Sequence, residues 1–393
     1  MKICLVHNEY GTFSGEEAVV ASQVGLLEKH GHTVCQFTRS STEIPQMKFG
    51  PLQALCSGIY NPFSVQSFRR FLSDLRPDLV HIHNLYPLIS PAVLHVCKEF
   101  SLPVVMTLHN YRLMCPNGLF MVNGTICEKC RGGRELWCLL NNCEGNLGKS
   151  LGYALRNYIA RIRKSYLHNI HGFAALTNFQ RQKLIQEGYA AERIQIVPNM
   201  SQPARKTDAA PLGNYIGYVG RISPEKGVNN LLEAASKHPY INFQAAGGYD
   251  KAPELVDKAP QNFLFKGHLT RESVNSFISQ SRIIIMCSIC YEGFPAVLVE
   301  AMLRGRPVIG SRLGGIPEII DDGITGLLFE AGNAKDLGEK IQYLWDNPEL
   351  CRKLGEAGRE KALREYTPNV YYERLMDVYK KAEKICSNEP LTK

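Results

Sequence analysis

Two glycines and two cations fall within one short segment, Gly220-Arg221-Ile222-Ser223-Pro224-Glu225-Lys226-Gly227. Glycine lets backbone come close to a ligand. Arg221 and Lys226 bring positive charge, and the start of a following helix adds its dipole. A diphosphate is the natural guest of such a loop, although Ser-Pro-Glu is also a common helix opening that needs no ligand. A second segment, Glu292-Gly293-Phe294-Pro295, runs into Ala296-Val297-Leu298-Val299-Glu300-Ala301-Met302. Glu292 is expected in a strand-to-helix loop and Glu300 about two turns further along the chain, in the helix. Two carboxylates at one helix end accept hydrogen bonds from several hydroxyls, as a sugar and a ribose require. Paired glutamates are often solvated surface, but Glu300 sits in an apolar run, which argues for burial and a partner.

Five cysteines, Cys115, Cys127, Cys130, Cys138 and Cys143, crowd a stretch rich in Gly and Asn. Cys127-Glu128-Lys129-Cys130 has the spacing of half a structural zinc site. With little apolar material to bury, a metal would supply the order that a core cannot. The expected zinc ligands are Cys115, Cys127, Cys130 and Cys143, with Cys138 as a packing residue beside Leu136 and Trp137. The alternative is a loop of unligated thiols.

The elements that position these residues alternate between short apolar strands and amphipathic helices, the pattern of a parallel sheet covered on both faces. Strands are predicted over Lys2–His7, Val34–Thr38, Asp78–His83, Pro103–Leu108, Phe173–Leu176 and Ile194–Val197, with a helix over Glu17–His30. A polar stretch rich in Pro, Ala and Lys, Pro198–Leu212, marks a boundary. A second series follows: strands Tyr215–Val219, Ile241–Ala246, Phe263–Lys266, Ile283–Met286 and Pro307–Gly310, and helices Val228–Lys237, Arg271–Gln280, Ala296–Arg304 and Ala334–Trp345. Gly326–Phe329 reads as hairpin-like. Thr367-Pro368 opens a last helix that runs to about Ile385. The expected domains are 1–198, carrying a Cys-rich insert at 115–143, then 199–366, then a helix over 367–393 that returns to the first. Two doubly wound halves imply a cleft at the carboxyl ends of their sheets.

The chain has 393 residues, 45% of them hydrophobic and 21% charged, with a formal net charge of +8. That is enough for two cores, and the modest excess of positive charge suits an acidic ligand or membrane surface. It carries none of the basic tails or aromatic signatures of nucleic-acid binders. No apolar run approaches the ~20 residues of a membrane span, and Met1–His7 is too soon polar for a signal peptide. The remaining cysteines lie mostly in apolar segments, as Cys4, Cys35, Cys97 and Cys287 do, which fits a reducing compartment. The sequon Asn123-Gly124-Thr125 is accordingly not expected to matter.

The Gly220–Gly227 and Glu292–Glu300 segments resemble the sugar-nucleotide site of glycosyltransferase family 4, a retaining family with an E-x7-E motif. The resemblance extends to Ser14-Gly15-Glu16-Glu17, Thr107-Leu108-His109-Asn110, Val197-Pro198-Asn199 and Gly314-Gly315-Ile316-Pro317-Glu318. It implies the GT-B fold: two facing Rossmann-like domains, a central cleft and a C-terminal crossover helix. It also implies roles. Arg221 and Lys226 hold the donor diphosphate, Glu292 orients sugar hydroxyls with Gly293, Phe294 and Pro295 beside it, and Glu300 holds the ribose. Gly220 opens the phosphate loop, His109 meets the donor sugar near the reacting carbon, and the loop at Gly15 approaches from the other side. Ser14 departs from the family's usual Gly-Gly pair.

The implied reaction is transfer of a hexosyl or N-acetylhexosaminyl group from a UDP- or GDP-linked donor to a glycan or polyprenyl-linked acceptor, without a metal in the transfer step. Bacterial surface-glycan assembly is the expected setting, in the cytoplasm or on the inner face of the cell membrane. A GT-B sugar-nucleotide epimerase or phosphorylase is the rival enzyme, and a non-catalytic nucleotide-sugar-binding module the rival of another class. One further helix bears on location. Leu151, Leu155, Tyr158, Ile159, Ile162 and Tyr166 form an apolar stripe read as a core face. Lys149, Arg156, Arg163 and Lys164 then form an exposed basic face, either simply solvated or laid on an anionic membrane surface.

Overall fold

The computed structural model describes all residues except 12–13, 48, 204–211, 251 and 390–393, so part of the expected Pro198–Leu212 boundary lies outside the described residues. The chain forms two compact units. The first comprises Met1–Phe120, Glu128–Pro198 and Tyr371–Lys393, the second Met121–Cys127 and Asn199–Val370.

In the first unit the strands are β1 (Lys2–Glu9), β2 (Thr33–Ser40), β3 (Leu79–Asn84) and β4 (Val104–Thr107). The short antiparallel pair β5 (Met121–Val122) and β6 (Thr125–Ile126) clusters with the second unit. Strands β7 (Gly172–Ala175) and β8 (Ile194–Ile196) complete a parallel sheet in the order β2-β1-β3-β4-β7-β8. Strand β3 is buried along its whole length, histidines included, as strands covered on both faces must be. The helices are α1 (Gly15–Lys29), α2 (Gly50–Ile59), α3 (Pro62–Leu75), α4 (Val93–Glu99), α5 (Leu136–Leu140), α6 (Leu147–Ile162), α7 (Ser165–Asn169) and α8 (Asn178–Gln186).

The second sheet contains β9 (Tyr215–Val219), β10 (Asn242–Ala246), β11 (Phe263–Gly267), β12 (Ile283–Met286), β13 (Val308–Ser311) and β14 (Leu327–Phe329). All run parallel, in the order β11-β10-β9-β12-β13-β14. Its helices are α9 (Val228–Lys237), α10 (Glu254–Asp257), α11 (Arg271–Gln280), α12 (Ala296–Met302), α13 (Ile316–Ile319), α14 (Ala334–Asp346) and α15 (Pro348–Glu365). The Gly326–Phe329 segment is therefore not a hairpin: β14 pairs in parallel with β13 as an edge strand. A core of aliphatic and aromatic side chains, Ile216, Tyr218, Val228, Leu231, Phe243 and Ile285 among them, fills this unit.

The last helix, α16 (Pro368–Asn388), packs from Tyr371 onward on the first unit. Its Tyr379 hydroxyl lies 2.6 Å from His81 Nδ1, and Tyr371 donates to Gln23. A Cβ at Gly172 would stand 3.1 Å from Val378, so the missing side chain lets α16 close on β7. Among the described residues no helix is long and apolar enough to cross a membrane.

Helix α6 corrects one expectation. Its buried residues are small or polar: Ser150, Gly152, Ala154, Arg156, Asn157 and Ala160. Arg156 does not face outward with Lys149 and Arg163. It is buried 4.0 Å above the Tyr86 ring and donates to the Pro116 carbonyl at 2.8 Å. A guanidinium tolerates this because its plane stacks on an aromatic face while its edge hydrogen-bonds. Gly152 lets Leu55 of α2 approach where any side chain would collide. The apolar residues Leu151, Leu155, Tyr158 and Ile162 are exposed instead. Tyr166 lies on α7, buried, with its hydroxyl on that of Tyr86.

Candidate functional site

The second sheet reverses its strand order between β9 and β12, and loops beyond the carboxyl ends of strands at such a point are where open α/β sheets take ligands. The loop after β9 starts at Gly220, passes a single tight turn over Pro224–Lys226 and ends at Gly227 with φ of 70°. The loop after β12 runs from Cys287 into α12. The two are stitched together, Ile289 N–H donating to the Glu225 carbonyl at 3.0 Å and the Cys287 thiol to the Lys226 carbonyl at 3.3 Å.

Across this seam Lys226 Nζ meets Glu292 Oε1 at 2.5 Å, with both side chains mostly buried. Ser288, itself buried, donates to the same carboxylate oxygen. Burial alone would raise the Glu292 pKa, but the Lys226 charge and hydrogen bond, Ser288 and Arg221 together hold it below the ordinary carboxylate value. Burial likewise pulls Lys226 down, and Glu292 more than restores it. The pair is therefore ionised across neutral pH. Arg221 is more exposed, its guanidinium 3.3 Å from Glu225, which also accepts from Ser223. An exposed contact of this kind is weak and yields readily to an anion.

Gly314 and Gly315 buttress the Glu292 loop from β13. Gly315 N–H donates to the Glu292 carbonyl at 2.9 Å, and a Cβ at Gly314, where φ is 59°, would press within 2.8 Å of the Glu292 nitrogen. Phe294 packs on the Tyr366 ring at 5.3 Å, while Gly293 and Pro295 carry the chain into α12. Glu300 sits within α12, its carboxylate 3.4 Å from Arg271. Burial raises its pKa against the opposing pull of Arg271 and Arg304. The structure thus gathers Gly220, Arg221, Lys226 and Glu292 in one pair of adjoining loops and puts Glu300 on the helix that follows. Ser288 and Glu225 were not singled out from sequence, although a serine four positions before Glu292 was a readable signal.

In the first unit the order reverses between β1 and β3, and polar residues collect there too. His83 Nδ1 lies 2.8 Å from His109 Nε2, and the two rings stack at 5.1 Å. Burial, aided by His7, drives the His109 pKa down to about 3, so this imidazole is neutral. His83 and His109 border a small cavity with Thr107, Tyr86 and Arg112. His81 is buried and fully engaged, by Thr107 on one side and by Gln23 and Tyr379 on the other, which makes it structural. Gly15 is the first residue of α1, and a Cβ there would meet no atom of the described residues beyond its own turn within 4 Å. Ser14 caps α1 in a reciprocal box with Glu17, which accounts for its departure from a second glycine.

A half-buried chain behind this face is not marked by the sequence: Arg112 donates to the Tyr10 hydroxyl at 3.1 Å, Tyr10 to Glu16 at 2.9 Å, and Glu16 Oε1 stands 3.7 Å from His7 Nδ1. Burial lifts the Glu16 pKa to about 7 against the pull of Arg112 and Tyr10, and lowers that of His7 to about 4. Between the ordinary value near 4.5 and about 7 the folded chain keeps a proton on Glu16 that the unfolded chain releases. Its contribution to stability therefore falls as pH rises through that window. His7 acts oppositely, losing stability as pH falls from 6.5 towards 4. Glu16→Gln should remove the first effect alone. The melting-temperature gain of the variant over wild type should be larger at pH 8 than at pH 5, by the equivalent of about 3 kcal/mol or less. An equal difference at both pH values would show that Glu16 does not carry this proton.

The cysteine cluster departs from expectation. Among the described residues no three His, Cys, Asp or Glu side chains come together as a metal-ligand set. Cys138, expected to stand apart from the ligands, packs with Cys130 and Cys143 around Ala154, while the Cys115 thiol donates to Asn117. Cys127 lies in the segment that clusters with the second unit. Cys115 also lies close enough to Cys138 and Cys143 for their charges to interact, and a zinc held by Cys115, Cys127, Cys130 and Cys143 stays a proposal that metal analysis of the protein tests.

Two parallel Rossmann-like sheets, each with polar loops at its switch point, define an α/β protein with the fold of the GT-B glycosyltransferases. Its solved likenesses include sucrose-phosphate synthase from Thermosynechococcus elongatus, at a TM-score of 0.74 and 18% identity over 97% of this chain and 98% of that one. Anabaena HepE in complex with UDP-glucose matches at a TM-score of 0.67 and 18% identity, over 97% and 99%. Residues 13–205 match the model of Glycosyltransferase Family 4 and residues 204–361 that of Glycosyl transferases group 1, so the chain belongs to glycosyltransferase family 4. An uncharacterized glycosyltransferase of Methanocaldococcus jannaschii is 38% identical over 151 residues, 37% of this chain and 42% of its own. The chain spans about half the length of the curated relatives it matches.

Proposed function

We propose that the protein is a retaining glycosyltransferase that moves a hexosyl or N-acetylhexosaminyl group from a nucleoside-diphosphate donor to a glycan or polyprenyl-linked acceptor. The observation that carries this reading is the pairing of Lys226 with Glu292 across the two loops at the second switch point, with Arg221 beside them. An ammonium has three donors, and Glu292 takes one of them, leaving two directions for phosphate oxygens. As the bond from the anomeric carbon to the diphosphate breaks, negative charge grows on the leaving oxygen. Lys226 and Arg221 meet that charge in place of a metal ion. The acceptor oxygen attacks from the same face and its proton passes to the departing phosphate. Glu292 accepts from sugar hydroxyls and Glu300 from the ribose, while His109, neutral, meets the sugar with a hydrogen bond rather than a charge. A uridine donor is supported by the UDP-glucose held by HepE. A polyprenyl-linked acceptor would place the reaction at the inner face of the cell membrane, in surface-glycan assembly.

The test is a panel of UDP- and GDP-sugars read first by thermal shift and then by product mass. The right donor, at a hundredfold excess over its Kd, should stabilise the fold by about 2.7 kcal/mol. It should also yield a product heavier by one sugar residue when an acceptor glycan or polyprenyl phosphate is added. A panel in which no nucleotide sugar shifts the melting temperature would remove the reading. A donor that is epimerised or merely held would replace it with the corresponding alternative.

A further inference from the structure

Helix α6 is amphipathic the wrong way round for a core helix. Leu147, Leu151, Leu155, Tyr158 and Ile162 are all exposed, between 42% and 62%. At 100° per residue they share an arc of about 80°. The buried side holds only small or polar residues and the stacked Arg156. Five large apolar side chains left in one stripe mark an interaction surface rather than the scattered exposure of an ordinary helix. Helix α5, which packs against α6, adds the exposed Leu136 and Leu140.

The charges about this stripe indicate its occupant. Between Leu147 and Lys164 there is no Asp or Glu, while Lys149, Arg161, Arg163 and Lys164 are all exposed. Of these, Arg161 is engaged by Glu135 at 2.7 Å. We propose that the exposed apolar stripe of α6 inserts into the interface of an anionic lipid bilayer, with Lys149, Arg163 and Lys164 on the headgroups. A helix of this length, with one exposed apolar stripe and cations at its two ends, lies in the plane of the interface rather than across it. The proposal rests on this surface and not on the reading of sugar transfer, but it gives a lipid-linked acceptor a place to be met.

The test uses the full chain and flotation with vesicles of phosphatidylcholine alone or mixed with phosphatidylglycerol. Wild type should float with the anionic vesicles and lose most of that binding at high salt. Leu151→Ser/Leu155→Ser/Ile162→Ser should weaken binding about tenfold or more, since three apolar side chains leave the interface. Lys149→Gln/Arg163→Gln/Lys164→Gln should abolish the preference for anionic over neutral vesicles. All six positions are exposed, so melting temperature and the donor-induced thermal shift should stay at wild-type values in both variants, which separates this outcome from failure of the transfer reading. The proposal is overturned if wild type binds no anionic vesicle, or if the triple serine variant binds as wild type does. It is equally overturned if the stripe turns out to join two copies, seen as a dimer in sedimentation that the serine variant dissociates.

Discussion

Lys226→Ala is expected to lower kcat by about 10²–10³-fold while weakening ground-state donor binding far less, because the charge Lys226 meets is fully developed only as the leaving group departs. The same substitution removes the ammonium that lies 2.5 Å from the mostly buried Glu292 carboxylate. Removing one partner of a buried ion pair costs about 3–5 kcal/mol, so the variant should also melt earlier. Its stability loss should shrink as pH falls, because without Lys226 only Ser288 and Arg221 oppose the burial that raises the Glu292 pKa, so the carboxylate takes up a proton more readily. The double variant Lys226→Ala/Glu292→Ala separates the two effects. It should recover much of the lost stability, since the carboxylate that loses its lysine is gone too, yet recover none of the turnover. Were Lys226→Ala to raise only KM for the donor, Lys226 would be a binding contact and the transition-state role would pass to Arg221.

What could be read in the sequence, and what could not, follows from the physics of each element. Tyr215–Val219, Ile283–Met286, Val228–Lys237 and Arg271–Gln280 have the bounds the apolar pattern predicts, because each is either a short continuous apolar run or a clear helical stripe. The spacing marks no helix over Pro348–Glu365, whose buried positions are Cys351, Leu354, Gly355, Gly358, Lys361 and Ala362, with Leu354 a lone large hydrophobe among them. For α6, periodicity identified the residues that share a face but not which face is covered, since that depends on Tyr86, Leu55 and the Pro116 carbonyl, all distant in sequence. The Gly220–Gly227 loop and Glu292 stand out by residue type and spacing, and the structure brings Lys226 and Glu292 of these two segments together. The chain from Arg112 through Tyr10 and Glu16 to His7 does not stand out: it joins segments about a hundred positions apart, and each member alone looks ordinary. Cys138 was set aside on its apolar neighbours in sequence, whereas its neighbours in space are Cys130, Cys143 and Ala154.

Gly227→Ala and Gly15→Ala should fail in opposite ways. Gly227 has φ of 70°, and a Cβ there would lie 1.9 Å from the Cys287 carbonyl oxygen, backbone that cannot swing aside. To admit it, the loops after β9 and β12 must separate, breaking the Ile289–Glu225 and Cys287–Lys226 hydrogen bonds and with them the approach of Lys226 to Glu292. The left-handed backbone adds about 1 kcal/mol of strain, and two loop hydrogen bonds are worth about 2 kcal/mol more. A loss on the order of 3 kcal/mol in stability should therefore accompany near-complete loss of donor binding. A Cβ at Gly15 would meet no atom of the described residues beyond its own turn within 4 Å, and its backbone is not left-handed. Alanine there should leave the melting temperature unchanged or slightly higher, since a glycine inside a helix costs about 0.5–1 kcal/mol relative to alanine. If the space beyond Gly15 belongs to the phosphate or acceptor, the methyl group should nonetheless raise KM or lower kcat several-fold in a fully folded protein. Measured side by side by calorimetry and by transfer assay, the pair distinguishes a glycine held by the fold from one held by the ligand. A Gly15→Ala variant with wild-type kinetics would take that loop out of the site.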